Sequence, residues 1–382
     1  MENYDLPGNG LPEQYQQYQP PVNNGQDITQ DPVMLRKRIK KGYGWTGLSM
    51  ILQFVFMMTV SIIASIIYST VMTAGFMAEN PGASQAQLME FAQELSQSVT
   101  TDIKYNNIVN TAAYLIANLS AAAIGIAAVK AFRTKELFGK SRLSAKWIAA
   151  GVLGALGIQA VSMFIQIIMI KLTGLMGISE QAASMVSMSD DILLNILILF
   201  YFVIVAPVTE EFLMRGMIMN SLAPVNRKFA LIASALLFGI MHGNFNQMFN
   251  GFLLGLIFGY IALKSGSIIP SIIAHMTVNA NVMFCTYVYE YKVLEASGED
   301  AASTFELIHF AVFMVIGIIA LIFFLKRNGK IVSEDMVTPE YSYEIAPTEA
   351  KKLTWGLLAK CPSVWIVTII YLLIAIFSVN AV

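Results

Sequence analysis

Eight stretches of this chain run for at least 18 residues without an Asp, Glu, Lys or Arg: 42–78, 105–129, 147–170, 192–209, 229–263, 265–289, 307–325 and 361–382. A helix needs about 20 mostly apolar residues to cross a bilayer. In the hydrocarbon every backbone polar group must be satisfied internally, which helices achieve within their own segment. The 229–263 stretch is long enough for two passes, with the polar patch His242-Gly243-Asn244-Phe245-Asn246 between them. The expected fold is therefore all-α, a polytopic membrane bundle of nine helices, or eight if the last lies on the surface. Only 13% of the 382 residues are charged, against about 25% in soluble domains. The net charge of −1 carries no nucleic-acid footprint.

The Lys and Arg residues of the short loops set the orientation. Arg36, Lys37, Arg38, Lys40 and Lys41 precede the first span and put the N-terminus in the cytoplasm. Residues 79–104 carry mainly acids (Glu79, Glu90, Glu94, Asp102) and belong outside. Lys130, Arg133, Lys135, Lys140, Arg142 and Lys146 return the next connection inside. The loop with Glu180, Asp190 and Asp191 lies outside, Arg227, Lys228 and Lys264 lie inside, 290–306 lies outside, and Lys326, Arg327 and Lys330 lie inside. The alternation predicts an integral plasma-membrane protein, and the tail and composition give it a bacterial character.

Residues 1–35 are rich in Pro, Gln, Asn and Gly, cannot bury a core, and are expected to form a disordered cytoplasmic tail. No cleavable signal peptide opens the chain, because the first apolar run starts only after about 40 residues. The remainder divides into the first three spans with their loops (42–191), a polar-motif core (192–290) and a C-terminal helical part (291–382). Cys285 and Cys361 sit in separate apolar stretches without ligand spacing and read as buried small hydrophobes. The 22 methionines read as packing filler. Trp45 and Trp147, near span ends, read as interface anchors. His309, near Glu306 at the outer end of its span, reads as an interface residue.

Ionisable residues inside membrane helices are costly and mark functional sites. Here they fall in three groups: Glu210-Glu211-Phe212-Leu213-Met214-Arg215, Phe238-Gly239-Ile240-Met241-His242, and His275-Met276-Thr277-Val278-Asn279. Glu211 and Arg215 are four apart, share a helix face and can pair. Glu210 sits about 100° around the helix from Glu211, so its carboxylate points away from that pair. At about 1.5 Å per residue, His275 lies ~16 Å from Lys264 and His242 ~21 Å from Lys228. Glu210 reaches a matching depth of ~18 Å only if the fourth span runs on to about residue 222. That extension is expected, and it brings Glu210, His242, His275 and Asn279 to one level.

The Glu-Glu-x-x-x-Arg, Phe-x-x-x-His and His-x-x-x-Asn series, in this order, resembles the CPBP family of CAAX proteases and bacteriocin-processing (Abi) intramembrane proteases, which includes the type II CAAX prenyl endopeptidases. The likeness covers roughly 192–290 and includes Gly251-Phe252-Leu253-Leu254-Gly255 and Ser265-Gly266-Ser267-Ile268-Ile269-Pro270. It implies peptide-bond hydrolysis within the membrane, on a membrane-associated peptide or protein reached from the cytoplasmic side. By motif position Glu210 would be the catalytic glutamate, His242 would help it activate water, and His275 with Asn279 would stabilise the oxyanion. Glu211, Arg215 and Phe238 would be supporting residues. The residue types suit that chemistry. A positioned carboxylate serves as general base, and imidazole and amide donors do oxyanion-hole work.

A metal-free glutamate mechanism is preferred, with no cofactor. The alternative is a Zn²⁺-dependent metalloprotease with Glu210, His242 and His275 as ligands, since two histidines and a carboxylate make a sufficient zinc set. Against it, no His-Glu-x-x-His is present and Asn is a poor zinc ligand. Two readings from other classes stay open: a proton-coupled transporter, for which intramembrane Glu and His suit a relay, and a non-catalytic immunity or scaffold protein. No paired halves of the kind found in many transporters are visible.

Overall fold

The computed structural model describes residues 32–129, 134–175, 178–180, 191–332, 335, 352–377 and 379–381. The bulk of the expected tail, and the loop residues Lys130, Arg133 and Asp190, lie outside these.

Among the described residues there are ten principal helices: α1 (Pro32–Glu79), α2 (Gln85–Thr101), α3 (Ile103–Val129), α4 (Ala145–Leu175), α5 (Ile192–Leu222), α6 (Arg227–Met241), α7 (Phe245–Ser265), α8 (Ile269–Val288), α9 (Glu299–Asn328) and α10 (Pro362–Phe377). Six of them (α1, α3, α4, α5, α7 and α9) are long and apolar enough to cross a membrane. α6, α8 and α10 lie where the other three passes were expected, but they are not among the helices long and apolar enough to cross. The chain is thus an all-α polytopic bundle. A three-residue antiparallel pair, Ile178–Glu180 with Val379–Ala381, interrupts the helical pattern.

Three expectations need adjustment. The first helix starts at Pro32, so the last residues of the expected tail and the basic run 36–41 are its opening turns. The acidic segment 79–104 is not a loop, because α2 occupies most of it, with Phe91 stacked on Phe76 of α1 at 4.3 Å. His309 has packing and hydrogen-bond partners that the interface reading did not include. Its Nε2 lies 3.1 Å from Asn281 Oδ1, and Phe284, Phe305, Phe310 and Phe313 surround the ring. Asn281 donates in turn to Gln159 Oε1 of α4 at 3.2 Å. An apolar window in the sequence does not show that a helix face is occupied by neighbours. Here a polar side chain is linked across three helices.

Helix packing relies on small residues, as expected where lipid gives no hydrophobic drive between helices. Gly157 of α4 meets Gly317 of α9 so closely that a Cβ on Gly157 would lie 2.6 Å from the Gly317 carbonyl carbon. α6 and α7 form an antiparallel hairpin capped by Asn244, whose Oδ1 accepts from Gln247 N at 2.7 Å. α5 threads the middle of the bundle. Its second half is almost wholly buried, including Met214, Met217, Ile218 and Met219.

Candidate active site

α5 runs unbroken from Ile192 to Leu222, as the depth argument required, but it is not regular. Residues 200–205 and 212–219 are wound as π-helix, with a six-residue α segment, Ala206–Glu211, between them. π segments inside α-helices are rare and gather at functional sites. In the first of them Ala206 N–H reaches back five residues to Tyr201 O. The next donor in that series would be Pro207, which has no N–H, and its acceptor would be Phe202 O. Asn279 of α8 donates to that carbonyl, Nδ2 to O, at 2.8 Å. In the second π segment Asn220 Nδ2 donates to Arg215 O at 2.8 Å and to Gly216 O at 3.0 Å. Side-chain amides thus satisfy carbonyls that the altered winding displaces, which a membrane interior demands.

The straight segment between the two π turns carries Glu210 and Glu211, both buried. Arg215 Nη1 donates to Glu211 Oε1 at 2.8 Å, the i,i+4 pair expected from spacing, and Arg215 Nη2 donates to Gly255 O of α7 at 3.0 Å. The guanidinium lies over the Phe238 ring (4.6 Å to the centroid) and near that of Phe258 (5.6 Å). A wholly buried arginine is therefore paired, hydrogen-bonded and covered by aromatic faces, which offsets its desolvation.

His275 joins this assembly from α8. Its Nδ1 is 3.1 Å from the same Glu211 Oε1, and its Nε2 is 3.8 Å from Glu210 Oε2. An ionised carboxylate only accepts, so Nδ1 carries a proton and Nε2 faces Glu210. Phe258 stacks on the imidazole at 4.7 Å and Phe238 meets it edge-on at 5.8 Å. His242 stands at the end of α6. Its Nδ1 is 2.8 Å from Phe238 O, which fixes Nδ1 as donor and leaves Nε2 for other work. The ring fits because residue 251 is glycine: a Cβ there would come within 3.0 Å of His242 Cε1 and Nδ1. His242 is within electrostatic reach of Glu210.

The structure therefore brings together Glu210, Glu211, Arg215, Phe238 and His275, with His242 beside them. Asn279 is the exception: its amide is engaged with Phe202 O in the first π segment of α5. Residues without a motif also contribute. Phe258 covers His275. Tyr114 of α3 and Tyr201 of α5 pack edge to face at 5.4 Å and interact electrostatically with Glu210. Asn118 of α3 donates to Thr209 Oγ1, beside Glu210, at 3.0 Å. Of these, Asn118 offered a signal, being an amide inside an apolar span. Phe258 and the tyrosines could not be told from ordinary packing.

The zinc alternative asks Glu210, His242 and His275 to converge on one ion. Among the described residues no group of three His, Cys, Asp or Glu side chains is arranged to hold a metal.

Residues 192–281 match the family described as type II CAAX prenyl endopeptidase Rce1-like. The match covers about a quarter of the 382 residues, and over that segment it bears out the likeness to the CPBP/CAAX protease family read from the motifs. No curated protein and no solved structure matches the chain.

Proposed function

We propose that the chain is an intramembrane endopeptidase of the CAAX type that hydrolyses a membrane-associated peptide or protein tail, with Glu210 as the group that activates water. The observation that carries this reading is the division of labour between adjacent carboxylates: Glu211 is committed to Arg215 and His275, while Glu210 faces the imidazole edge from the other side. A polar group so placed in a family-matched segment has no packing task that an apolar residue would not do better.

In the proposed reaction Glu210, assisted by His242 Nε2, takes a proton from water as its oxygen attacks the scissile carbonyl carbon. The negative charge then forms on the former carbonyl oxygen. His275 Nε2 can donate to that oxygen only when the ring carries both protons. In that state Arg215 and the imidazolium together balance Glu210 and Glu211. Asn279 has a second amide hydrogen beyond the one given to Phe202 O and is the second proposed donor. Collapse of the intermediate breaks the C–N bond, and the proton held by Glu210 passes to the departing amine. Preorganised donors of this kind act most strongly where water is excluded.

The site is proposed to be reached from the cytoplasmic side, in a plasma-membrane protein of bacterial character with its N-terminus inside. Whether the substrate is prenylated is a separate question from the chemistry. The test compares wild type with Glu210→Gln in cells by mass spectrometry of membrane peptides and C-terminal fragments. A product seen only with wild type supports the protease and identifies its substrate. Identical profiles from two folded, abundant proteins would sink the reading and leave the scaffold or transporter in its place.

A further inference from the structure

A second constructed site lies at the membrane face where α4 and α8 begin and α7 and α9 end, and it shares no residue with the candidate active site. A cavity of about 420 Å³ opens there, lined by Arg142, Ser144, Trp147, Lys264, Arg327 and Asp335 among others. Its volume falls in the usual range for ligand pockets, and three of these side chains are cationic.

Lys264 is half-buried, whereas Arg142 and Arg327 are exposed and reach over Gly266 and Trp147. Arg142 N donates to Ser265 O at 2.7 Å. Its guanidinium occupies the space above Gly266, where a Cβ would come within 2.4 Å of Nε and Nη2, and Gly266 has φ +67°. Lys264 Nζ donates to Asp335 Oδ2 at 2.6 Å and to Lys330 O at 2.8 Å. Asp335 Oδ2 also accepts from Val332 N at 2.7 Å, so the lining carboxylate is already committed. Arg327 lies over the Trp147 ring at 5.9 Å, and Lys146 approaches the same ring at 5.5 Å. Tryptophan at a helix end marks headgroup depth. Guanidinium groups match phosphate oxygens with paired N–H donors, and basic pockets between membrane helices take anionic lipid headgroups.

We propose that this cavity binds the phosphate of an anionic phospholipid headgroup, held by Arg142 and Arg327 with Ser144 alongside. Free inorganic phosphate presents the same oxygens, so the test must separate the two.

The test titrates the full-length protein, delipidated in neutral detergent, with phosphatidylglycerol, phosphatidylcholine or inorganic phosphate, and follows the thermal unfolding midpoint. Saturable stabilisation by phosphatidylglycerol alone is expected. Arg142→Gln with Arg327→Gln should weaken it about tenfold or more, as loss of charged hydrogen bonds implies. Lys135→Gln with Lys140→Gln removes the same charge from the same face outside the cavity and should titrate like wild type. Arg327→Gln alone, which keeps the Arg142 anchor, gives the readout if the double variant does not fold. Equal weakening by the lysine pair, or none by the arginine changes, overturns the site. Equal stabilisation by phosphate alone overturns the lipid as its occupant.

Discussion

His275 Nδ1 and Arg215 Nη1 both reach the same oxygen of Glu211, at 3.1 and 2.8 Å. A residue that spacing marks as the partner of an arginine is also what fixes the imidazole facing Glu210. The adjacent acids should therefore fail differently when neutralised. Glu211→Gln leaves a buried guanidinium without its counter-charge, at a cost of about 3–5 kcal/mol, and is expected to lower the unfolding midpoint as well as abolish cleavage. Glu210→Gln should keep the midpoint close to wild type and reduce cleavage by about 10²-fold or more. Thermal unfolding of both variants in detergent, beside a product assay, checks the split. Equal stability losses would mean that Glu210 is structural too.

Asn279 carries two duties in this structure and in the proposed chemistry, and substitution can separate them. Asn279→Ala removes the donor to Phe202 O and should cost about 1–3 kcal/mol for the unsatisfied carbonyl, together with the loss of an oxyanion donor. Asn279→Gln keeps the amide but moves it by one methylene. A variant that recovers stability without recovering turnover would support the oxyanion role, and parallel recovery would leave only the capping role.

Gly251 makes room for the His242 ring. Gly251→Ala is expected to push that imidazole aside by a few tenths of an ångström or more while the α6–α7 hairpin stays formed. Misplacement on the ångström scale costs about 10²-fold in rate. Steady-state cleavage should therefore drop by more than thermal stability, which also falls because the new Cβ lies 3.1 Å from Gly239 Cα on α6. Unchanged turnover would show that the placement of His242 is not critical.

The Gln159–Asn281–His309 chain is a structural link by this geometry. Intramembrane hydrogen bonds average about 0.6 kcal/mol, so His309→Ala should destabilise modestly and leave cleavage measurable. Loss of turnover without loss of stability would instead tie this chain to the active site.

Phe258 stacks on His275 and flanks Arg215. Phe258→Ala should cost about 3–5 kcal/mol, as large-to-small core changes do. Phe258→Leu preserves most of the volume and removes the aromatic face. A larger fall in activity than in stability for Phe258→Leu would identify the stack, rather than the packing, as what positions the imidazole.

The sequence by itself determined the apolar character of the helices and the spacing of polar groups along them. Charge-free runs marked the apolar helices, because carrying charges into hydrocarbon is costly, although only six of the nine expected passes are long and apolar enough to cross. The four-residue spacing of Glu211 and Arg215 set their pairing, and the about 100° step between neighbours turned Glu210 away from it. Even the extension of α5 to Leu222 followed from depth. Only the tertiary structure decided which helices face one another. Glu211 meets His275 from 64 positions away, Asn279 caps a carbonyl on α5, and Asn281 bonds His309 across helices. Membrane helices are apolar nearly all round, so no amphipathic stripe tells an inward face from a lipid-facing one. The two π segments were equally hidden, since one extra residue in a helical turn leaves no mark in an apolar run. The cross-helix contacts form only when the bundle assembles.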